Sequence, residues 1–327
     1  MSITSLLYFK KYIFILYYFY GIIQEEICVK GEIFMNTKRR VDFTIEGKNN
    51  GEKVWEILKN EMKVSSRLIT KLKHDPEGIL LNGEHIRTVD FVKTGDTLSI
   101  TVPADMEEKT AAVTPLPYPL KVFYEDDDLL IVDKPAGLPL HPSHNHQGDT
   151  LANAVAYHLE KQGKSAVFRS IGRLHRGTSG VVVCGLNRFV TGVLNGKIYK
   201  EYEAVCEGIY EGEGVIDRPI YRPDPIKTFR TVDKRGETAI TEWKAVSHKD
   251  GRTLLRIHLL TGRTHQIRVH FSSLGTPLTG DTMYGNPRED ISRQALHCCY
   301  CKFNHPVTNE IIEIESPLPE DIAQFVK

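Results

Sequence analysis

Apolar and polar residues follow two kinds of spacing in the first third of the chain. Alternation predicts short strands, and a spacing of three to four residues predicts helices. The chain should therefore form a strand, two helices, a hairpin and a closing strand over residues 41–45, 52–63, 67–73, 79–86 and 97–102. In the first helix we expect Val54, Trp55, Leu58 and Met62 to face a core. Together these elements predict a small α+β module over residues 35–103.

A proline-containing segment separates this module from the rest of the chain. Pro115, Pro117 and Pro119 stand at alternate positions within residues 104–119, and no regular element tolerates that spacing. A second domain is therefore expected over residues 120–327. Its strand and helix patterns occupy residues 120–133, 151–159, 181–184, 200–205, 254–260, 264–274 and 295–303.

Two patterns in the second domain lead to specific expectations. Residues 125–128 are consecutive carboxylates between two apolar runs, so they predict either a metal site or, as we favour, a hairpin tip of solvated charge. In the helix over residues 264–274, the side chains of Ile267, Phe271 and Leu274 are expected to face the core.

The stretch over residues 171–180 brings charged and hydroxyl side chains to the start of a buried strand. It contains Arg173, His175 and Arg176 between glycines, and an apolar run over residues 181–184 follows directly. Polar groups gathered at the end of a buried element are typical of an active-site loop. A basic surface turn before a core strand is the simpler alternative.

Four sequence blocks favour the active-site loop. They are Lys-Pro-x-Gly-Leu-x-x-His-Pro at 134–142, Arg-Leu-x-Arg-x-Thr-Ser-Gly at 173–180, Thr-Gly-Arg-Thr-His-Gln-Ile-Arg-Val-His at 261–270 and Gly-Asp-x-x-Tyr-Gly at 280–285. In this order they resemble the RluA-type pseudouridine synthases, and the module before them resembles the α-L RNA-binding module of ribosomal proteins. Two positions depart from the synthase pattern. His175 stands where the family has its catalytic aspartate, and Gly172 where it has a histidine.

The resemblance implies site-specific conversion of uridine to pseudouridine in structured RNA, without a cofactor or a metal. It implies that Tyr202 packs against the target uracil. It also implies that Arg268 pairs with the catalytic position, so we expect Arg268 to point at His175. The expected catalytic positions are therefore His175, Tyr202 and Arg268. The expected RNA-binding residues of this domain are Arg173, Arg176 and Arg263.

The charge distribution locates a second RNA-binding surface. Lys plus Arg and Asp plus Glu are equal at 42 each, which excludes a strongly basic body and leaves only local patches for nucleic acid. The two helices of the module carry such a patch, since five cations against Glu61 give a local charge of +4: Lys59, Lys63, Arg67, Lys71 and Lys73. We expect RNA binding through Lys63, Arg67 and Lys71, with a merely solvated basic face as the alternative.

The six cysteines follow no regular spacing. Cys298, Cys299 and Cys301 beside His297 suggest a metal site, but they lie in a strand-like run whose alternate side chains point to opposite faces. Buried, reduced thiols of a cytoplasmic protein are the favoured interpretation.

The first 34 residues form a segment of a different kind. An apolar run over residues 12–23 follows two lysines, but it is shorter than a membrane span of about 18 to 20 residues. A secretory signal fits the charge, yet no small-residue cleavage site follows. Residues 30–32 are encoded by codons that can spell a bacterial ribosome-binding site shortly before Met35. We therefore interpret residues 1–34 as a mis-called leader.

The sequence thus predicts an α+β protein with an RNA-binding module and a synthase-like domain, whose sheet is mixed, largely antiparallel and flanked by helices. The expected function is uridine isomerisation in structured RNA, with ribosomal RNA as the expected substrate and with no membrane, metal or obligate protein partner. Two rival functions are a catalytically inactive protein that only binds RNA, and a small-molecule glycosidase. The glycosidase is disfavoured because the motif blocks contain no pair of carboxylates.

Overall fold

The computed structural model describes residues 39–102, 113–143, 146–164 and 167–326. The described chain from Val41 onward forms one compact unit. The expected leader, and residues 103–112 of the module end and linker, lie outside the described residues. Within the described part of the chain, no helix is long and apolar enough to cross a membrane.

A four-stranded sheet with two helices forms the first part of this unit. Its strands are β1 (Arg40–Thr44), β2 (Ile79–Leu81), β3 (Glu84–His85) and β4 (Thr97–Thr101), in the order β1-β4-β2-β3. Its helices are α1 (Val54–Asn60) and α2 (Ser66–Leu72). Asn82 and Gly83 connect β2 to β3 with positive φ angles of 52° and 86°, as a two-residue hairpin turn requires.

The two helices begin and pack largely as their sequences predict. The Ser65 hydroxyl accepts a hydrogen bond from the Leu68 amide at 3.2 Å, which caps α2. In α1, Val54 and Leu58 are buried as expected, but Trp55 is 38% exposed. The prediction for Trp55 was wrong because this short helix turns Ile57, which is fully buried, toward the core instead.

A ten-stranded sheet organises the rest of the chain. The strands from here on are β5 (Lys121–Glu125), β6 (Leu129–Lys134), β7 (Arg169–Ser170), β8 (Ser179–Gly185), β9 (Tyr199–Glu207), β10 (Glu213–Asp217), β11 (Ile220–Tyr221), β12 (Thr231–Val232), β13 (Ile240–Lys249), β14 (Arg252–Leu259), β15 (Leu296–Asn304) and β16 (Ile311–Glu315). The main path is β10-β13-β14-β9-β15-β8-β6-β5, with β16 on β15 and β7 on β8, while β11 and β12 form a separate pair. Strands β15 and β8 are parallel, and the other described pairings of this sheet are antiparallel. The expected mixed, largely antiparallel sheet is confirmed.

The parallel pair at the centre of the sheet fixes the start of β8. Every residue of β8 is buried, and the Ser179 hydroxyl lies 2.9 Å from Nδ1 of the buried His297 on β15. Gly180 has φ +112°, and a Cβ there would stand 2.1 Å from the Cys298 carbonyl oxygen. Only glycine fits this contact. The loop before β8 is therefore anchored at one end.

Four helices accompany the sheet: α3 (Leu151–Lys161), α4 (Arg188–Leu194), α5 (Gln266–Ser273) and α6 (Glu320–Ala323). In α5, Ile267 and Phe271 are buried as expected, but Leu274 is 38% exposed. That prediction was wrong because α5 ends at Ser273, so Leu274 leaves the helical face.

The acidic tip between β5 and β6 is not simply solvated, so the interpretation favoured from the sequence was wrong. Asp128 is buried and accepts a 2.6 Å hydrogen bond from Asn187, and Asp126 lies 2.9 Å from Nε2 of the buried His305. Nδ1 of His305 accepts hydrogen bonds from the Val307 and Thr308 amides, so Nε2 is the ring nitrogen that lies next to Asp126. These contacts bring two hairpins together, and one ligand atom each of Asp126, Asp128 and His305 lies within 4.8 Å of the others.

The described cysteines Cys184, Cys206, Cys298, Cys299 and Cys301 are free and buried. Burial raises the pKa of the Cys299 thiol well above its usual range, so it stays protonated. The expectation of buried, reduced thiols is confirmed for these five.

Candidate active site

A cavity of about 690 Å³ opens where the loop before β8 meets the start of α5. Its walls come from residues 171–175 and 178, from the end of α4 and the start of β9, and from residues 258–268. The structure brings five of the expected site residues to this cavity: Arg173, His175, Tyr202, Arg263 and Arg268. Arg176 and the three module residues Lys63, Arg67 and Lys71 do not line it.

His175 lies next to a second histidine in the wall of the cavity. The ring centroids of His175 and His265 are 4.6 Å apart, with 54° between the ring planes. Burial and the positive charges of Arg268, Arg173 and Lys134 lower the pKa of His175 from 6.5 to about 4. Burial and the neighbouring His175 lower the pKa of His265 to about 3. Both imidazoles are therefore neutral near pH 7.

His265 is held in one tautomer by its neighbours. It adopts a left-handed backbone conformation with φ +62° immediately before α5. Its Nδ1 lies 2.8 Å from the Tyr284 hydroxyl, and that hydroxyl accepts a 2.9 Å hydrogen bond from the Arg230 amide. The hydroxyl proton is therefore available to Nδ1, which leaves the proton of the neutral ring on Nε2.

Arg268 lines the cavity, but its guanidinium is bound to another partner. Nε and Nη2 donate to the two carboxylate oxygens of Asp281 at 2.7 and 2.6 Å, and both side chains are buried. Asp281 also accepts the Met283 and Tyr284 amides at 3.0 Å each. Arg268 and His175 thus line the same cavity, as expected, but the guanidinium pairs with Asp281, since a neutral imidazole offers no charge to compete with a carboxylate.

Tyr202 and Lys200 project from β9 beside the same loop. Burial raises the pKa of Tyr202 well above its usual value, so its hydroxyl stays protonated. The Lys200 ammonium donates to the Ile171 carbonyl at 3.2 Å. Gly172 follows with φ +87°, and a Cβ there would lie 3.3 Å from the Lys200 Nζ. Lys200 thus holds the start of this loop in place.

Lys134 supports the loop from behind. It is completely buried, and its Nζ donates to the carbonyls of Pro135, Leu138 and Arg176 at 2.8, 3.0 and 3.2 Å. Burial lowers its pKa to about 7. The sequence showed the motif that contains Lys134 but gave no sign that it ties the two loops together.

The remaining expected arginines differ in their surroundings. Arg173 is exposed at the cavity and has no hydrogen bond or ion pair with any residue that the structure describes. Arg263 pairs with Glu237 and donates to the Thr238 carbonyl at 2.9 Å. Arg176 donates to the Gly137 carbonyl at 2.9 Å, outside the cavity. Arg173 thus places an exposed positive charge at the cavity, whereas Arg176 does not line it.

Comparison with known proteins identifies the family. Residues 128–273 match the family model described as RNA pseudouridylate synthase. The Bacillus subtilis protein named uncharacterized RNA pseudouridine synthase YjbO is 37% identical over 274 residues, covering 82% of this chain and 96% of that protein. The chain belongs to the RNA pseudouridine synthases. Ribosomal large subunit pseudouridine synthase D of Vibrio cholerae is 33% identical over 267 residues, covering 76% of this chain and 82% of that protein.

A solved structure agrees with this assignment. Human RNA pseudouridylate synthase domain containing 1 superposes with a TM-score of 0.50 and 28% identity, over 61% of this chain and 83% of that one. The resemblance of the main domain to the RluA-type synthases is confirmed, and with it the assignment to a family of isomerases. The resemblance of the first module to the α-L module stays a prediction.

Sequence reasoning missed several residues of this synthase site. His265, Asp281 and Tyr284 stand in motif blocks that were noted without a role for each side chain. Their joint appearance in two separated blocks was the available signal. Lys134 was missed in the same way, because a lysine in a turn motif gives no indication of burial.

The lowered pKa of His175 predicts how the stability of the folded protein depends on pH. The unfolded chain binds a proton at this residue below about pH 6.5, whereas the folded protein does so only near its lowered pKa of about 4. Folding is therefore destabilised as the pH falls from about 6.5 to 4. We expect the thermal midpoint of the His175→Gln variant to fall less steeply across this window. Parallel midpoint curves for the two proteins would contradict the lowered pKa.

Proposed function

We propose that this chain binds structured ribosomal RNA, receives an extruded uridine in the cavity beside His175, and isomerises it poorly. One observation carries the proposal: His175, which by the family resemblance stands at the position of the catalytic aspartate, lines the cavity and is kept neutral by its surroundings. The name of the Vibrio cholerae relative supports the choice of ribosomal RNA as substrate.

The reaction explains the composition of the cavity. Isomerisation breaks the bond between the ribose and N1 of uracil, turns the base over and joins it through C5, so it needs positioning rather than a cofactor. Extrusion of the base from its stack costs a few kcal/mol, which cationic and aromatic groups offset. Arg173, exposed at the entrance, is suited to the vacated space, and Tyr202 to the face of the base.

The histidine changes what this cavity does with the bound base. An ionised aspartate carries a negative charge that attacks or stabilises the sugar, and it pairs with a guanidinium. The neutral His175 ring does neither, and Arg268 is bound to Asp281. Binding therefore persists while the chemical step slows, and the limiting case is an RNA-binding protein without turnover.

A panel of RNAs tests the substrate class. Anisotropy titrations should show tighter binding to transcribed ribosomal RNA fragments than to transfer RNA or duplex DNA of the same charge. Equal affinity for all three nucleic acids would contradict a preference for ribosomal RNA. That result would leave the family assignment intact.

The module is proposed to supply a separate part of the affinity. Lys63, Arg67 and Lys71 are exposed on or near α2. Each phosphate contact that is lost lowers the slope of log affinity against log salt by about one. The triple variant Lys63→Ala, Arg67→Ala, Lys71→Ala should therefore lower this slope by up to about three. An unchanged slope would move the RNA contact away from the module.

A further inference from the structure

A second cavity of about 500 Å³ lies between the module and the main domain. One wall is the face of α2 that carries Arg67 and Lys71, which are four residues apart and so lie on the same side of the helix. The other wall carries Arg169 of β7 together with Arg188 and Thr191 of α4. We name this feature the basic groove.

The charged residues that line the basic groove are all positive. Of its lining residues, which all belong to the described part of the chain, four are cations and none is a carboxylate. Lys71, Arg169 and Arg188 each also interact within the protein, so a ligand would share these donors. Beside the groove, burial and the charge of Lys63 lower the pKa of Lys197. The positive charges of Lys63 in the module and Lys197 in the main domain therefore repel one another, and an anion bound near both would relieve that repulsion.

Helix α4 connects the basic groove to the active-site cavity. Its first part, with Arg188, Thr191 and Gly192, lines the groove, and its last residue, Leu194, lines the cavity beside His175. A helix of seven residues spans only about 10 Å, the length of roughly two nucleotides of extended backbone. The N-cap residue Asn187 holds α4 in place by accepting the Val190 amide at 2.9 Å and donating to Asp128 at 2.6 Å.

We propose that the basic groove binds the sugar-phosphate backbone of the same RNA whose uridine enters the active-site cavity. The inference rests on the proposed function and adds the path of the substrate. The module and α4 then contact one RNA strand from two sides, a few nucleotides from the target base. An acidic protein segment is the other ligand class that the charge suits, but the short connection to the cavity favours RNA.

Two kinds of variant test the groove on the full chain with a fluorescein-labelled ribosomal RNA transcript. Arg188→Ala and Arg67→Ala should each lower the salt slope of binding by about one. Lys249→Ala is the matched charge control, because Lys249 is exposed at the end of β13 farthest from the active-site cavity and lines neither cavity. It should leave the slope unchanged.

Gly192 allows the groove to be filled without removing a charge. A Cβ at this position meets nothing within 4 Å, so the first atom of a side chain has room there. Gly192→Leu should weaken binding about as much as Arg188→Ala does, and Gly192→Ala should weaken it less. Thermal midpoints close to that of the parent protein establish that the variants fold.

The outcomes separate the groove from the proposed function. If Arg188→Ala and Gly192→Leu both bind the transcript like the parent, the groove is not on the RNA path and the inference is overturned. If only Arg67→Ala lowers the slope, the module binds RNA without α4, which also overturns it. Failure of the proposed function is seen elsewhere, in tritium release by the His175→Asp variant, which does not depend on the salt slope.

Discussion

The His175→Asp variant should isomerise uridine at least about 100-fold faster than the parent chain. The charges of Arg268, Arg173 and Lys134, which hold His175 neutral, have the opposite effect on an acid and keep a carboxylate at this position ionised. A carboxylate is also smaller than imidazole, which restores the placement that catalysis requires. The rate is measured in single turnover with protein in excess over the RNA, so that binding does not limit it.

Charge and size are separated by His175→Asn. This side chain has nearly the shape of aspartate but carries no charge, so the variant should bind RNA and remain slow. Rates for His175→Asn equal to those for His175→Asp would show that size, and not charge, limits the parent chain.

Removal of the Asp281 side chain should destabilise the protein by about 3–5 kcal/mol, because it leaves the Arg268 guanidinium buried without its partner. Asp281 is completely buried, and its loss also frees two backbone amides. The free energy of unfolding of Asp281→Ala is measured by urea denaturation with circular dichroism. Asp281→Asn keeps an oxygen for the amides and should lose less.

A surface pair provides the matched control for this prediction. Arg288 and Asp290 form the same two-bonded fork, at 2.7 and 2.5 Å, but Asp290 is exposed. Water screens this pair, so Asp290→Ala should change the free energy of unfolding little. Equal losses for Asp281→Ala and Asp290→Ala would contradict the role assigned to the buried pair.

The sequence predicted β1 to β6, β8, β9, β14 and β15 and the helices α1, α2, α3 and α5, because the spacing of their apolar residues records which face is buried. It did not predict β7, β10 to β13, β16, α4 or α6. The β8 strand and the Asn82-Gly83 turn were predictable from apolar content and from turn chemistry alone. Trp55 and Leu274 were misplaced because each lies at the edge of a short helix, where one residue of shift moves a side chain from the core to water. The spacing of apolar residues along the chain does not determine whether such a one-residue shift occurs.

The residues of the active site were predictable only where a sequence motif contains them. His175, Tyr202 and Arg268 meet at one cavity as the motif order suggested. The partner of Arg268 was not predictable, since the choice between His175 and Asp281 depends on three-dimensional proximity and on the charge of each group. The interpretation of the acidic tip was wrong for a related reason. Asn187 and His305, which contact its carboxylates, come from distant parts of the chain.

Tritium release from ribosomal RNA transcribed with 5-tritiated uridine tests the central claim most directly, since formation of the bond at C5 displaces that hydrogen. The parent chain, His175→Asp and the double variant His175→Asp, Arg268→Ala are assayed side by side on the same transcripts. The account predicts little or no release by the parent chain, ready release by His175→Asp, and loss of that release when Arg268 is also removed. Rapid release by the parent chain would contradict the claim that His175 impairs the chemical step.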